Sequence, residues 1–193
     1  MPTGVAIRDV REHLFGAAER VLLRDGAQGL TSRAVTTEAG VAKGVLHRHF
    51  ADFDGFLAAL IDDRIARLAD RAAVLRADAG SGTVIGNLTD VLLDLFGSVA
   101  TALIGLMIFR DDLRVRLRTA YPGGVPLLSD AAAMVADYLT LERDAGRLLP
   151  DADPQMLALT LLGSSHLLAA GRRDTAPQDV TRLVTSVVGP ALP

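Results

Sequence analysis

Leu30-Thr31-Ser32-Arg33-Ala34-Val35-Thr36-Thr37-Glu38-Ala39-Gly40-Val41-Ala42-Lys43-Gly44-Val45-Leu46-His47-Arg48-His49-Phe50 is two short helical phrases on either side of a turn. Thr31 is an N-cap for a helix ending at Ala39. Gly40 supplies the turn, and a second helix is expected from Ala42 to His49. Val35, Val41 and Leu46 form the inward positions, and Ala39 lets the two helices approach. The second helix is about two turns long, too short to stand alone, so its neighbours must hold it. A helix presented in this way fits the major groove of B-DNA.

The surrounding sequence supplies those neighbours. Upstream, Ile7, Val10, Leu14, Ala17, Ala18, Val21 and Leu22 make one apolar helical stripe, stopped at Gly26. Downstream, Asp52 caps a longer helix with the stripe Phe53, Phe56, Leu57, Leu60, Ile61, Ile65 and Leu68. It fades before Ala79-Gly80-Ser81-Gly82. Helices are then expected over 84–109, 111–120 and 126–145. Asp153-Pro154 opens another, ending before Gly171, and Thr175-Ala176-Pro177 opens the last. The result is an all-α protein of about nine helices. A three-helix, helix-turn-helix head (1–51) precedes a helical body (52–193), and the helix over about 52–78 joins them.

Composition agrees with this reading. Half of the 193 residues are hydrophobic and only 4% are aromatic, which suits a helical core better than a β-rich one. The chain has no cysteine, so disulfides and thiolate chemistry are excluded. Mean hydropathy is high at +0.31. However, the longest uncharged run, Leu95 to Phe109, is shorter than the roughly 18–20 residues a spanning helix needs. The opening residues lack the pattern of a signal peptide, so a cytoplasmic protein is expected. Net charge is −3 overall, but residues 1–50 hold seven basic and five acidic side chains, which leaves a basic head on an acidic body.

The segment from about Arg8 to Leu60 resembles the tetracycline-repressor (TetR) family of transcriptional regulators. The likeness rests on the preceding amphipathic helix, the capping Thr31, Ala39-Gly40-Val41, Gly44 and Phe50. It implies a DNA-binding head and a body that binds an inducer and dimerises. Several positions depart from the usual pattern. Ala42 stands where Ser is common, and Val45 where small or hydroxylated residues are. Thr36 replaces an Ala at the packing face. His47 replaces a Tyr, and Phe53 an often-present Lys, both of which contact phosphate in the family. Anchoring is therefore weaker, or moved to Arg8, Arg11 and His47.

The DNA-contact candidates are Thr31, Arg33, Thr37, Lys43, Gly44, Val45, His47 and Arg48; Lys43 is the only lysine in the chain. His47-Arg48-His49 is no metal pair, because alternate residues point to different helix faces. In the body, Phe96, Leu103, Met107, Phe109, Tyr121, Met134, Tyr138 and His166 are candidates for an inducer cavity between helices. The stretches 154–170 and 177–188 are broadly apolar. By the resemblance they form a four-helix homodimer interface, and two-fold symmetry then implies a palindromic operator.

No phosphate loop, His-Glu-x-x-His or Gly-x-Ser-x-Gly motif is present, so neither an enzyme nor a cofactor or metal is expected. The expected function is that of a homodimeric repressor released from its operator by a small apolar molecule. The alternative is a helical small-molecule-binding protein that has reduced or lost DNA binding.

Overall fold

A computed structural model describes residues 9–96, 99–122, 124–170 and 176–193, without the side chains of Ala100, Ile108, Phe109 and Ala170. The described residues form ten α-helices and no strand. They are α1 (Val10–Gly29), α2 (Ser32–Glu38), α3 (Gly44–His49), α4 (Phe53–Ala77), α5 (Val84–Phe96), α6 (Ala100–Phe109), α7 (Asp111–Ala120), α8 (Leu128–Asp144), α9 (Pro154–Ala170) and α10 (Pro177–Val188). A 3-10 turn, Gly189–Ala191, closes the chain.

Local chemistry sets most of the boundaries. The Asp9 carboxylate accepts from the backbone N–H groups of Arg11 and Glu12 and starts α1. Gly26 breaks that helix with φ 71° and ψ −177°, a region effectively reserved for glycine. The Thr31 hydroxyl accepts from Ala34 N–H at 3.1 Å, as a cap should. Asp153 caps α9 through the N–H groups of Gln155 and Met156, with Pro154 at its first position.

Two expectations need correction. The single helix over 84–109 is two helices, α5 and α6, inclined at 52° to each other, which is why ten are found rather than nine. The run from Leu95 to Phe109, which spans the junction, carries no charge, so the hydrophobic pattern carried no mark of the bend. The probe helix starts at Gly44, two residues later than Ala42, because Val41 and Ala42 still belong to the turn.

Apolar side chains gather in two clusters. In the first, Leu14, Ala18, Val35, Leu46, Phe50 and Phe56 from α1–α4 pack with Leu103, Leu106, Leu113 and Leu117 from α6 and α7. The second lies around the far half of α4 and joins Leu68 and Leu75 to Leu88, Leu92, Tyr138, Leu161 and Val184. Helix α4 contributes to both clusters, so its two ends report on different cores. Among the described residues, no single helix is long and apolar enough to cross a membrane.

Candidate nucleic-acid interface and effector cavity

The α2–turn–α3 unit is fixed from beneath. Val35 and Leu46 have no solvent exposure, and Phe50 closes α3 in extended conformation. The Phe50 ring meets Phe15 at 5.9 Å and Phe56 edge-on at 5.0 Å between centroids. Gly40 takes φ 65°, so the turn requires the left-handed conformation that glycine adopts without penalty. Thr36 is buried, and its hydroxyl donates to the carbonyls of Ser32 and Arg33. A polar group is thus accommodated at a packing position because its own helix satisfies it.

Two contacts that the sequence reading missed clamp this unit to α1. The His13 ring Nε2 lies 2.8 Å from the Ala39 carbonyl, to which it must donate because a carbonyl only accepts. The Arg11 guanidinium lies 4.7 Å from the Phe50 ring centroid. Neither pairing has a local sequence signal, since both join residues far apart in the chain.

What this leaves outward is the informative part. Lys43, Gly44, His47 and Arg48 are exposed and, at spacings of one, four and five, share one face of α3. Thr31, Arg33 and Thr37 are exposed on α2, and Val45 is half-buried. Among the described residues, Arg33, Lys43 and Arg48 make no ion pair. The neighbouring cations differ: Arg20 and Arg24 both donate to Glu38 at 2.8 Å. Glu38 is the one carboxylate between Thr31 and Phe50. Its pairing holds α2 on α1 and removes the acid that would oppose an anionic partner. Arg8, another suggested anchor, lies outside the described residues.

Arg24, then Arg20, hold the Glu38 carboxyl below its ordinary value. The Gly55 N–H, then Arg116, do the same for Asp52. A lowered folded-state value means that the stability is present above the unfolded values of about 4.5 and 3.8 and is lost as pH falls through the folded ones. The melting temperature is therefore expected to drop below about pH 4. Glu38→Gln should lower it at neutral pH and flatten the acid limb, as read by far-ultraviolet circular dichroism.

Phe53 occupies the position where the resemblance suggested a cation. It stacks on Phe56 at 5.7 Å, with the Arg110 guanidinium 5.3 Å from its centroid. Arg110 also pairs with Asp54 at 2.9 Å, and Arg116 with Asp52 at 3.0 Å. Farther along, the Tyr121 hydroxyl donates to Asp62 at 2.6 Å. The start of α4 is thus tied to α7 and its flanks.

A cavity of about 420 Å³ lies between α1, α4, α5, α6, α8 and α9. Leu68, Phe96, Leu103, Ile104 and Leu162 supply apolar wall, and so does Leu127, whose φ of 68° is the one positive value among described non-glycine residues. Of the expected ligand contacts, Phe96 and Leu103 line this cavity. His166 lies behind that wall, its ring 6.4 Å from Phe96. Met107 and Met134 are buried among core side chains, Tyr121 sits at the α4–α7 seam, and Tyr138 is fully buried with Asn87. The Phe109 side chain lies outside the described residues. The sequence reading passed over Arg64, Arg67 and Arg71, which stand on one face of α4 at spacings of three and four and line the cavity.

Helix α9 presents Met156, Leu159 and Leu167 to solvent at 57%, 56% and 75% exposure, with exposed Gly163 between them. Such a contiguous apolar face is unusual on a monomer. In α10, by contrast, Val180, Val184 and Val188 face inward.

Residues 14–60 match the sequence profile of the family described as "Bacterial regulatory proteins, tetR family". No curated protein matches the chain. Solved structures share the fold over nearly the whole length. Reduced NemR of Escherichia coli superposes with a TM-score of 0.71 at 19% identity, covering 93% of this chain and 97% of its own. SmeT, the repressor of the Stenotrophomonas maltophilia multidrug efflux pump SmeDEF, gives 0.62 at 19% identity, over 96% and 92%. FadR of Bacillus subtilis in complex with stearoyl-CoA gives 0.64 at 16% identity, over 92% and 95%.

Proposed function

We propose that this chain, with its tetR-family match over residues 14–60, is a TetR-family DNA-binding regulator: a homodimeric repressor whose operator is palindromic and whose release is driven by a small molecule held in the body. The observation that carries the reading is the face made by Lys43, Gly44, His47 and Arg48, which is cationic, without ion pairs among the described residues and braced from behind. Arg33, Thr31 and Thr37 flank it and supply contacts to the sugar-phosphate backbone. A reader of chromosomal DNA works in the cytoplasm, which is where we place this protein.

The cavity is the effector site in this account, with Phe96 and Leu103 as ligand contacts. It borders α4, whose first turns pack against the head and whose later turns line the cavity. A ligand that prefers one position of α4 shifts the population toward heads spaced differently. SmeT, a repressor, and FadR, in complex with stearoyl-CoA, share this fold and support a repressor with a ligand of this kind.

Helix α9 joins two subunits through Met156, Leu159 and Leu167, with Gly163 allowing close approach and α10 flanking it. Leu167→Glu together with Met156→Glu is expected to convert the dimer to monomer in sedimentation equilibrium, since it buries like charges across the two-fold axis. A dimer that persists in this variant contradicts the assignment.

Selection from a random pool of duplexes at about 50 mM salt, where phosphate contacts are strong, tests the function as a whole. Enrichment of a palindrome with half-sites about one helical turn apart is the expected result. A pool that stays random overturns the regulator reading. It would favour a protein that only holds its ligand, with Phe53 in place of a phosphate-binding lysine as the structural reason.

A further inference from the structure

The cavity carries more charge than an apolar effector requires. Three arginines of α4 line it, and exposure of their side chains rises along the row, from 22% at Arg64 through 48% at Arg67 to 53% at Arg71. Two carboxylates share the wall, Glu19 beside Arg64 and Asp94 beside Arg71. We propose, building on the effector-site reading above, that the ligand is an amphipathic anion. Its carboxylate or phosphate head is held by the α4 arginine row, and its apolar chain runs along Phe96, Leu103 and Leu162.

Arg67, in the middle of the row, is closed by Asp63 at 2.9 Å and Glu12 at 3.2 Å, but two observations leave the ends of the row open to a ligand. Arg64 is mostly buried, and its Nε–H has no acceptor although its terminal nitrogens face Glu19 and Asp63. A buried charged donor left without a partner is costly, and turning the guanidinium toward a ligand oxygen in the cavity would remove that cost. At the other end, the Arg71–Asp94 pair joins α4 to α5 with both side chains about half exposed. Such a pair is worth little, so an incoming anion displaces Asp94 from Arg71 at small cost. Guanidinium is suited to this exchange because its planar fork meets carboxylate or phosphate with two parallel hydrogen bonds. A neutral head gains no charge-assisted bond from the row, and a cationic head meets three guanidinium groups and only carboxylates that are already paired.

The arrangement also explains how a ligand acts on the head. Asp94 belongs to α5 and Arg71 to α4, so exchanging one carboxylate for another unties a link between these helices. Helix α4 then answers to the ligand at its far half, while its first turns remain packed in the head cluster.

Calorimetric titration of the full chain with decanoate, decyl phosphate, decanol and decyltrimethylammonium tests this. The better anion should bind about tenfold or more tighter than decanol, as expected for a hydrogen bond to a charged group, and the ammonium more weakly still. Whichever of decanoate and decyl phosphate binds tighter names the head group. In Arg71→Gln and Arg64→Gln the advantage of the anion should shrink, with decanol affinity held. In Asp94→Asn anion binding should strengthen, a gain that misfolding cannot imitate. Equal binding of decanol and the anions overturns the proposal while leaving the cavity as the effector site. Absence of binding by all four, or an undiminished anion advantage in both arginine variants, also overturns it. None of these titrations contains DNA, so failure of the regulator reading shows separately, as a random pool in the duplex selection.

Discussion

Glu142→Ala is expected to destabilise the fold by about 3–5 kcal/mol, a large share of the roughly 5–15 kcal/mol that holds a domain together. Glu142 has no solvent exposure and sits where α8 meets the loop between α4 and α5. It accepts from Gly80 N–H at 3.3 Å and pairs with Arg147 Nε at 3.2 Å. Nearby, the Tyr138 hydroxyl accepts from Asn87 Nδ2 at 3.0 Å. Burial, reinforced by Glu142, pushes the Tyr138 phenol far above its ordinary value, so it stays a donor at all physiological pH. Removing the carboxylate strands a guanidinium and a backbone amide together. Arg147 is 26% exposed and can turn toward water, which places the expected cost toward the lower end of the range. Glu142→Gln should cost less, because it keeps an acceptor oxygen. Urea denaturation midpoints measure both. A loss below about 1 kcal/mol for the alanine variant would mean that the network is not what holds this end of the body.

The second large effect falls on DNA. Lys43→Ala combined with His47→Ala should weaken binding to the selected duplex by about a thousandfold, since each subunit loses two contacts and a good base contact is worth roughly 1–3 kcal/mol. Lys43 is exposed at the N-cap of α3 and His47 on that helix, and neither packs in the core, so the melting temperature should be unchanged. Arg20→Ala offers the contrast. It breaks a pair with Glu38 that lies beside the interface, and should cost stability without altering which sequence is preferred.

The head was legible because its signals are local. Thr31, Gly40 and Asp52 act within three residues of themselves, and Val35, Leu46 and Phe50 declare their burial by helical spacing. The bend between α5 and α6 was not legible, because the run from Leu95 to Phe109 across the junction carries no charge and its pattern marks no change of direction. The cavity was half legible for a related reason. Aromatic and methionine side chains were natural candidates, but Met134 and Tyr138 went to the second core, while the arginines of α4 looked like an ordinary solvated face. Only the packing of α5 and α6 across that face turns it into a wall. The braces on the turn, His13 on Ala39 and Arg11 on Phe50, are long-range pairings that no spacing rule announces.

Salt dependence is the sharpest probe of whether α3 reads DNA. Each phosphate charge neutralised contributes about −0.9 to the slope of log affinity against log salt. The affinity of the selected duplex should be measured from about 50 to 200 mM salt for the native chain and for Lys43→Ala. If Lys43 meets phosphate in both half-sites, the slope becomes shallower by about two. If it meets bases instead, the slope stays nearly the same and discrimination between operator and mismatched duplex falls by about tenfold or more. An affinity, slope and preference all unchanged in Lys43→Ala would contradict the account, because α3 would then not be the element that touches DNA.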